Sequence, residues 1–213
     1  FLAVIGYCFN LSATSISSIS DTAGNTYTRI TGKTDSITGG IEIWYANNIT
    51  GNASNVVTIT FAGSYSFRRI IVGQYSGIST TSPVDTSSTG ETDNTVVTTG
   101  NLTTAQNEEI IIAGVGSIDS HTFTPATSYT IRSYNTAAAP GDTIIEDRIL
   151  SSTGTYTAGA SWTGNDNAII VAAAIKGPSA GSSIKTFLGL ANASTKTVEG
   201  LARASVKTWE GLA

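Results

Sequence analysis

The first 176 positions of the chain alternate short apolar stretches with clusters of glycine, asparagine, serine and aspartate. Within most stretches every second residue is apolar, as in Val57, Ile59 and Phe61, which is the pattern of a strand with one buried face. No strong period of 3.6 residues occurs before Gly177. About eleven short strands at this spacing predict an all-β, antiparallel β-sandwich of jelly-roll or immunoglobulin-like topology.

Two stretches are apolar at consecutive positions, and one alternating stretch carries a tryptophan among polar neighbours. Residues 1–9 and 168–175 are predicted to form strands buried on both faces. The lone Cys8 lies in the first of them, so we expect a small buried hydrophobe rather than a reactive thiol. In residues 41–45, Trp44 shares a face with Glu42, and we predict that this face is exposed to solvent. Residues 76–94 are predicted to form a long polar loop.

The end of the chain repeats itself. Ser183, Ser194 and Ser205 each open a copy of S-x-K-T-x-x-G-L-A, with a period of eleven residues. A unit this short gains stability only by stacking on neighbours or on other chains, which indicates assembly. We therefore predict a β-sandwich over residues 1–176, a linker over 177–182 and a three-repeat assembly segment over 183–213.

The conformation of the repeats is open between two alternatives. A helix with an eleven-residue period could supercoil to the right, but every copy holds a glycine that is unfavourable in a helix interior. The β-branched residues in each copy favour strands and turns, which we prefer. In this scheme three lysines project outward, Lys185, Lys196 and Lys207, and five apolar side chains are buried as anchors: Ile184, Phe187, Val198, Val206 and Trp209.

The composition argues against several classes of function. The chain has 26 serines and 34 threonines but only 12% charged residues, so hydroxyl groups keep its surface polar. A net charge of −4 and scattered basic residues argue against a nucleic-acid partner. The fully apolar run of residues 168–175 is far short of the ~20 residues of a membrane span. The chain holds no methionine, opens inside a predicted strand and stops within the third repeat, so we expect a processed piece of a longer polypeptide.

No set of side chains predicts catalysis, and no cofactor is expected. His121 is the single histidine, so a serine hydrolase would have to use it, and Asp119 and Ser120 lie beside it. Sequence neighbours do not form a triad by themselves, and we expect a solvated loop histidine. Adjacent acids such as Glu108 with Glu109, or Glu146 with Asp147, point to opposite faces of a strand and do not converge.

Two kinds of binding site need consideration. The oxygen-rich loops 21–25, 91–94 and 165–167 could attract calcium, but none fits the twelve-residue calcium loop of EF-hands, and ordinary turn chemistry explains them equally well. We therefore expect no metal site. Aromatic side chains on an exposed face are the usual platform for sugars, and Trp44 with Tyr45 and Tyr75 is the best candidate.

Several segments resemble a β-sandwich module found in secreted bacterial and phage-encoded proteins. They are Asp21-Thr-Ala-Gly-Asn-Thr-Tyr27, Ile43-Trp-Tyr-Ala-Asn-Asn-Ile49, Asn55-Val-Val-Thr-Ile-Thr-Phe61, Gln74-Tyr-Ser-Gly77, Glu146-Asp-Arg-Ile149 and Ser151-Ser-Thr-Gly154. The S-x-K-T-x-x-G-L-A copies are similar to tandem repeats of phage virion proteins. The first resemblance implies one further strand before Phe1, and neither brings a catalytic motif.

These observations favour a non-enzymatic structural component of an extracellular assembly. The expected protein is a phage virion component, such as a capsid-decorating, tail or fibre protein, on the virion or an extracellular surface. Its partners would be other copies of itself and neighbouring virion or surface proteins. The alternative is a carbohydrate-binding or adhesive module of a secreted bacterial protein, with a cell-surface glycan as ligand. A fragment of a glycan-degrading enzyme is a third, weaker hypothesis.

Overall fold

The computed structural model describes residues 1–9, 16–65, 67–135 and 141–178 in full, and the backbone of 185–189, 195–198 and 201–204. Every regular element in these ranges is a β-strand. The first half contains β1 (Leu2–Phe9), β2 (Ile16–Asp21), β3 (Thr28–Asp35), β4 (Gly39–Ala46), β5 (Val57–Phe61), β6 (Phe67–Ser76), β7 (Val84–Thr92), β8 (Val96–Thr98) and β9 (Leu102–Thr103). The second half contains β10 (Glu109–Ser117), β11 (Thr124–Pro125), β12 (Thr130–Asn135), β13 (Thr143–Leu150), β14 (Thr155–Tyr156), β15 (Gly159–Ser161) and β16 (Ala168–Lys176). The repeat region contributes β17 (Lys185–Gly189), β18 (Thr195–Val198) and β19 (Leu201–Ala204).

Two five-stranded antiparallel sheets form the body of the protein. The first sheet has the strand order β17-β6-β1-β4-β3, and the second has the order β12-β13-β10-β16-β7. Shorter strands pair as β2 with β5, β9 with β14, and β11-β15-β8. This arrangement confirms the predicted all-β, antiparallel β-sandwich.

Three apolar layers explain why some strands are apolar on both faces. Ile5 of β1 lies opposite Ile43 and Ile71 on the neighbouring strands, and the three side chains enter the core between the two large sheets. Val4 belongs to a different core, on the outer face of the first sheet. In β10 the alternation is the same, because Ile112 enters the central core and Ile111 a core on the outer face of the second sheet.

The two large sheets approach each other closely at two glycines of β10. A Cβ atom placed on Gly114 would lie 2.6 Å from Cγ2 of Ile5, and one on Gly116 would lie 2.5 Å from Cδ2 of Tyr7. Since real side-chain contacts are longer than this, both positions favour glycine. The large side chains of β1 occupy the space that β10 leaves open.

The outer layers contradict one prediction about Trp44. The two-stranded β2–β5 sheet packs over the outer face of the first sheet, where Val57, Ile59 and Ile19 lie in one apolar cluster with Trp44. Glu42, on the same face, is only 2% exposed. The prediction that this face is exposed to solvent was therefore wrong, because two strands that are distant in sequence from each other cover it.

Residues 76–94 contain a strand where a loop was predicted. Val84–Thr92 forms β7, which pairs with β16 along most of its length at the edge of the second sheet. Its serine and threonine side chains are half-buried or exposed, so the strand carries little of the apolar signal of a core strand. Other predictions were confirmed, because residues 1–9 and 168–175 are buried strands and Cys8 is buried.

Candidate functional site

The three aromatic residues proposed as a sugar platform do not share one surface. Trp44 is half-buried beneath the two-stranded β2–β5 sheet, and its Nε1 donates a 2.6 Å hydrogen bond to Oε2 of Glu42. Tyr45, the next residue of β4, points to the opposite face and stacks on Phe1 with ring centroids 5.5 Å apart. Tyr75 is 2% exposed in the central core. Sugar binding stays a prediction, but these three rings lie on both sides of the sheet.

The buried Glu42 lies beneath the β2–β5 sheet and binds several polar groups there. Its Oε2 accepts hydrogen bonds from Nε of Arg29 at 3.0 Å and from Trp44, and its Oε1 lies 3.5 Å from the backbone nitrogen of Ile16. Burial of a carboxylate is tolerated only with such charge-assisted donors. The indole therefore acts as a structural donor to a buried acid rather than as an open aromatic surface.

A group of polar side chains lies at one end of the second sheet, and we call it the polar end. It contains His121 and Ser120 from the loop after β10, Asp142 just before β13 and Asp166 just before β16. Nε2 of His121 lies 2.9 Å from Oδ2 of Asp166, while Oγ of Ser120 donates to Oδ1 of Asp142 at 3.3 Å. The backbone nitrogen of His121 donates to Oδ2 of Asp142 at 3.0 Å.

This geometry pairs the serine and the histidine with two different carboxylates. A hydrolase triad needs the serine hydroxyl bonded to the imidazole and the imidazole bonded to the acid. Here Asp142 accepts from Ser120, and Asp166 is the partner of His121. His121 also stacks on Trp162, with centroids 5.5 Å apart, and its side chain is 13% exposed. The expected solvated loop histidine was therefore wrong, since His121 is a packed residue of the polar end.

Hydrogen bonds to the backbone beside the polar end connect the two large sheets. The hydroxyl of Tyr7 donates to the carbonyl oxygens of Thr38 at 2.8 Å and Ser117 at 3.0 Å. Nη2 of Arg69 donates to the carbonyl oxygen of Gly141 at 3.2 Å. Burial raises the pKa of Asp142 above its usual value, and hydrogen bonds from His121 and Ser120 oppose that shift. The cluster thus acts as a buried polar junction, in which donors and acceptors from both sheets meet.

The adjacent acids diverge, as their place in strands predicts. Asp147 binds Arg132 with a 2.9 Å contact, whereas Oε1 of Glu146 accepts from the backbone nitrogen of Gly159 at 3.2 Å. Glu146 is fully buried, and burial raises its pKa to about 8. At neutral pH this side chain is therefore protonated. Glu146 and Asp147 therefore do not face one cleft together.

The loop at residues 21–25 is saturated by its own hydrogen bonds. Oδ1 of Asp21 accepts from the backbone nitrogen of Asn25 at 2.9 Å. Its Oδ2 accepts from the side chains of Asn25 at 2.8 Å, Tyr27 at 2.8 Å and Asn55 at 3.0 Å. Among the described residues no group of three or more histidine, cysteine or acidic side chains could hold a metal ion. Turn chemistry therefore accounts for the carboxylate at Asp21.

The remaining candidate surface is the outer edge of β6. Along it the register pairs Lys185 with Ser76, Leu188 with Gln74 and Gly189 with Gly73. The first repeat copy thereby extends the first sheet by one strand, while β18 and β19 pair with each other. Of the predicted anchors, Ile184, Val206 and Trp209 lie outside the described residues, and only the backbone of Phe187 and Val198 is described.

Sequence reasoning overlooked one motif. The segment Gly177-Pro-Ser-Ala-Gly181 matches the G-x-S-x-G pattern of a nucleophile elbow and follows β16 directly. That motif acts on a turn between a strand and a helix. Ser179 lies outside the described residues, and the next described element is the strand β17. His121, the histidine such a serine would need, is bonded to Asp166.

Comparisons with known proteins add no relative. No family model, no curated protein and no solved structure matches the chain. In the part of the chain that the structure describes, no helix is long and apolar enough to cross a membrane.

Proposed function

We propose that the protein is a non-enzymatic structural component of an extracellular assembly and that it oligomerises through its C-terminal repeats. The observation that carries this proposal is the pairing of the first repeat copy, β17, with the edge strand β6. An unpaired edge strand offers a row of free backbone groups, and adding a strand is a common mode of protein recognition. A phage virion protein on the particle surface, for capsid decoration or as part of a tail or fibre, fits this description best.

The number of copies supports assembly between chains. Each chain carries one β6 edge but three copies of S-x-K-T-x-x-G-L-A, so it has more repeat copies than β6 edges. The exchange of an identical segment between protomers makes the same contacts as pairing within one chain. We therefore infer that repeats from neighbouring copies occupy β6 edges. A jelly-roll or immunoglobulin-like topology of the sandwich is part of the same proposal.

The surface and the polar end also support a structural role. Serine and threonine outnumber charged residues, which suits a surface exposed on a particle. In the polar end, Ser120 and His121 are engaged by separate carboxylates and serve packing. The alternative of a carbohydrate-binding module ranks second, because Trp44 and Tyr75 are covered and Tyr45 stacks on Phe1.

Light scattering coupled to size-exclusion chromatography tests the proposal. It would compare the full chain with a chain that ends at Gly177, which keeps all strands from β1 to β16. We expect the full chain to form a defined multimer and the shortened chain to be a folded monomer. If both chains are monomers, the assembly role of the repeats is overturned. If both form the same multimer, the sandwich and not the repeats makes the contacts between chains.

A further inference from the structure

The repeat segment leaves the sandwich at a point that is closely tied to three loops. The backbone nitrogen of Lys176, the last residue of β16, donates to the carbonyl oxygen of Pro83 at 2.7 Å. The backbone nitrogen of Ser79 donates to the carbonyl oxygen of Lys176 at 2.9 Å. One residue further on, the nitrogen of Gly177 donates to the carbonyl oxygen of Glu108 at 2.7 Å. The start of the linker is thus held in part by Glu108, the residue next to Glu109.

Glu109 is the unusual residue of this region. It begins β10, it is completely buried, and neither carboxylate oxygen meets a donor in hydrogen-bonding geometry. A buried carboxylate with so few donors is costly, whereas the protonated acid is neutral and becomes a donor itself. The carboxylate of Asp85 on β7 is the acceptor that a protonated Glu109 can use. Burial and then Asp85 raise the pKa of Glu109 to about 7, and the backbone of Gln106 and the charge of Lys176 oppose this.

The charge balance around Glu109 depends on one proton. Oδ2 of Asp85 accepts from the backbone nitrogen of Ala105 at 2.7 Å, and its Oδ1 lies 3.6 Å from Nζ of Lys176. The strand on the other side of β10 places the apolar Leu150 opposite Glu109. With Glu109 protonated, Asp85 and Lys176 balance each other. With Glu109 ionised, two buried carboxylates compete for a single ammonium group, which is unfavourable.

We propose that Glu109, Asp85 and Lys176 form a proton-operated latch that holds the start of the linker, at Lys176 and Gly177, against the sandwich. Proton uptake by Glu109 closes the latch, since the acid then donates to Asp85 and leaves Lys176 paired. Proton loss opens it, because Lys176 is drawn between two carboxylates and the backbone bonds at Lys176 and Gly177 weaken. This inference rests on the proposed function, in which the segment behind the latch is the assembly element, so assembly becomes sensitive to pH near neutrality.

Hydrogen exchange of the backbone amides of Lys176 and Gly177 in the full chain tests the latch. Exchange would be followed from about pH 5.5 to about pH 8.5 and corrected for the intrinsic rate of the free amide. We expect the protection of both amides to fall about tenfold or more as pH rises through this range. In Glu109→Gln, which imitates the protonated acid, protection should stay high at every pH. The matched control Glu108→Gln changes the exposed neighbouring acid and should follow the native chain.

A constant protection of Gly177 in the native chain would overturn the latch, as would an unchanged pH response in Glu109→Gln. Carbon NMR titration of the Glu109 carboxyl in the native protein covers the case in which the variant does not fold. A midpoint near 7 supports the latch, and a midpoint near the usual value of about 4.3 overturns it. If light scattering shows no multimer while the amides still respond to pH, the latch stands and the assembly proposal fails.

Discussion

The hydroxyl of Tyr7 lies 3.0 Å from the carbonyl oxygen of Ser117 and joins the first sheet to the end of β10 in the second. The same hydroxyl lies 2.8 Å from the carbonyl oxygen of Thr38, so its single proton serves two acceptors. Burial raises the pKa of Tyr7 well above its usual value, which keeps the proton in place at every pH of interest. The contact is therefore a permanent link between the sheets.

Replacing Tyr7 by phenylalanine should lower the free energy of unfolding by about 1–3 kcal/mol. The ring still fits beside Gly116, but two buried carbonyl oxygens lose their donor. Chemical denaturation measures the loss. The control is Tyr156→Phe, whose hydroxyl donates to the carbonyl of Ser152 in an exposed position, and it should change stability by less than about 0.5 kcal/mol. Equal effects of the two substitutions would contradict the structural role of Tyr7.

Replacing Asp21 by asparagine should destabilise the protein by roughly 2 kcal/mol at neutral pH, because its carboxylate accepts four hydrogen bonds. Hydrogen bonds from Asn25, Asn55 and Tyr27 outweigh burial and lower the pKa of Asp21. A lowered pKa means that this stabilisation is present above the unfolded value of about 3.9 and disappears as pH falls below it. Denaturation at neutral and acidic pH checks both statements. Asp93→Asn, at an exposed acid, is the control.

Replacing Glu146 by glutamine should stabilise the protein at alkaline pH and leave it nearly unchanged near pH 4. Burial raises the pKa of Glu146 to about 8, so the native chain loses stability as pH rises from the unfolded value of about 4.3 to that point. We expect a gain of roughly 2–4 kcal/mol in the variant at about pH 9. Denaturant titrations at the two pH values give the difference.

The exposed Glu91, whose side chain is 53% accessible, provides the control for Glu146. Glu91→Gln should have the same small effect at both pH values, since an exposed ion pair with Lys33 contributes little. A gain in Glu146→Gln that does not depend on pH would show that the buried acid is not the titrating group.

Cysteines introduced at paired positions should report which chain fills the β6 edge. Gln74 and Leu188 are Cα partners in the register of β6 and β17, a spacing that suits a disulfide. In a background with Cys8→Ala, a mixture of Gln74→Cys chains and Leu188→Cys chains should form a disulfide-linked dimer after oxidation. Val56→Cys, exposed and outside this register, replaces Gln74→Cys in the control mixture. A disulfide that forms only within a double variant, and never in the mixture, would contradict exchange between chains.

The sequence predicted the parts of the fold whose signal is local. Consecutive apolar residues in β1 and β16 indicate burial on both faces regardless of the partner. The burial of Trp44 could not be predicted in this way, because the side chains that cover it come from the β2–β5 sheet and not from its own strand. Likewise residues 84–92 form the strand β7 because they pair with β16, whereas their serine and threonine side chains alone indicate a loop.

The polar end shows the same limit for a candidate site. The sequence places Asp119 and Ser120 next to His121, yet the carboxylates that bind its backbone and its ring are 21 and 45 residues away. Adjacent residues of a loop point in different directions, whereas loops at one end of a sandwich meet in space. Which loops meet depends on strand order, and one sequence does not determine that order.

The position of β16 between β10 and β7 also has a consequence for synthesis. This strand is the last of the second sheet to leave the ribosome, so during translation β10 and β7 are made before the strand that pairs with both of them. Until β16 is made, β10 and β7 lack their shared partner, and long-range pairing of this kind is slow. A chain that ends before Ala168 would therefore be aggregation-prone and a target of the cell's chaperones and proteases, not a smaller working domain.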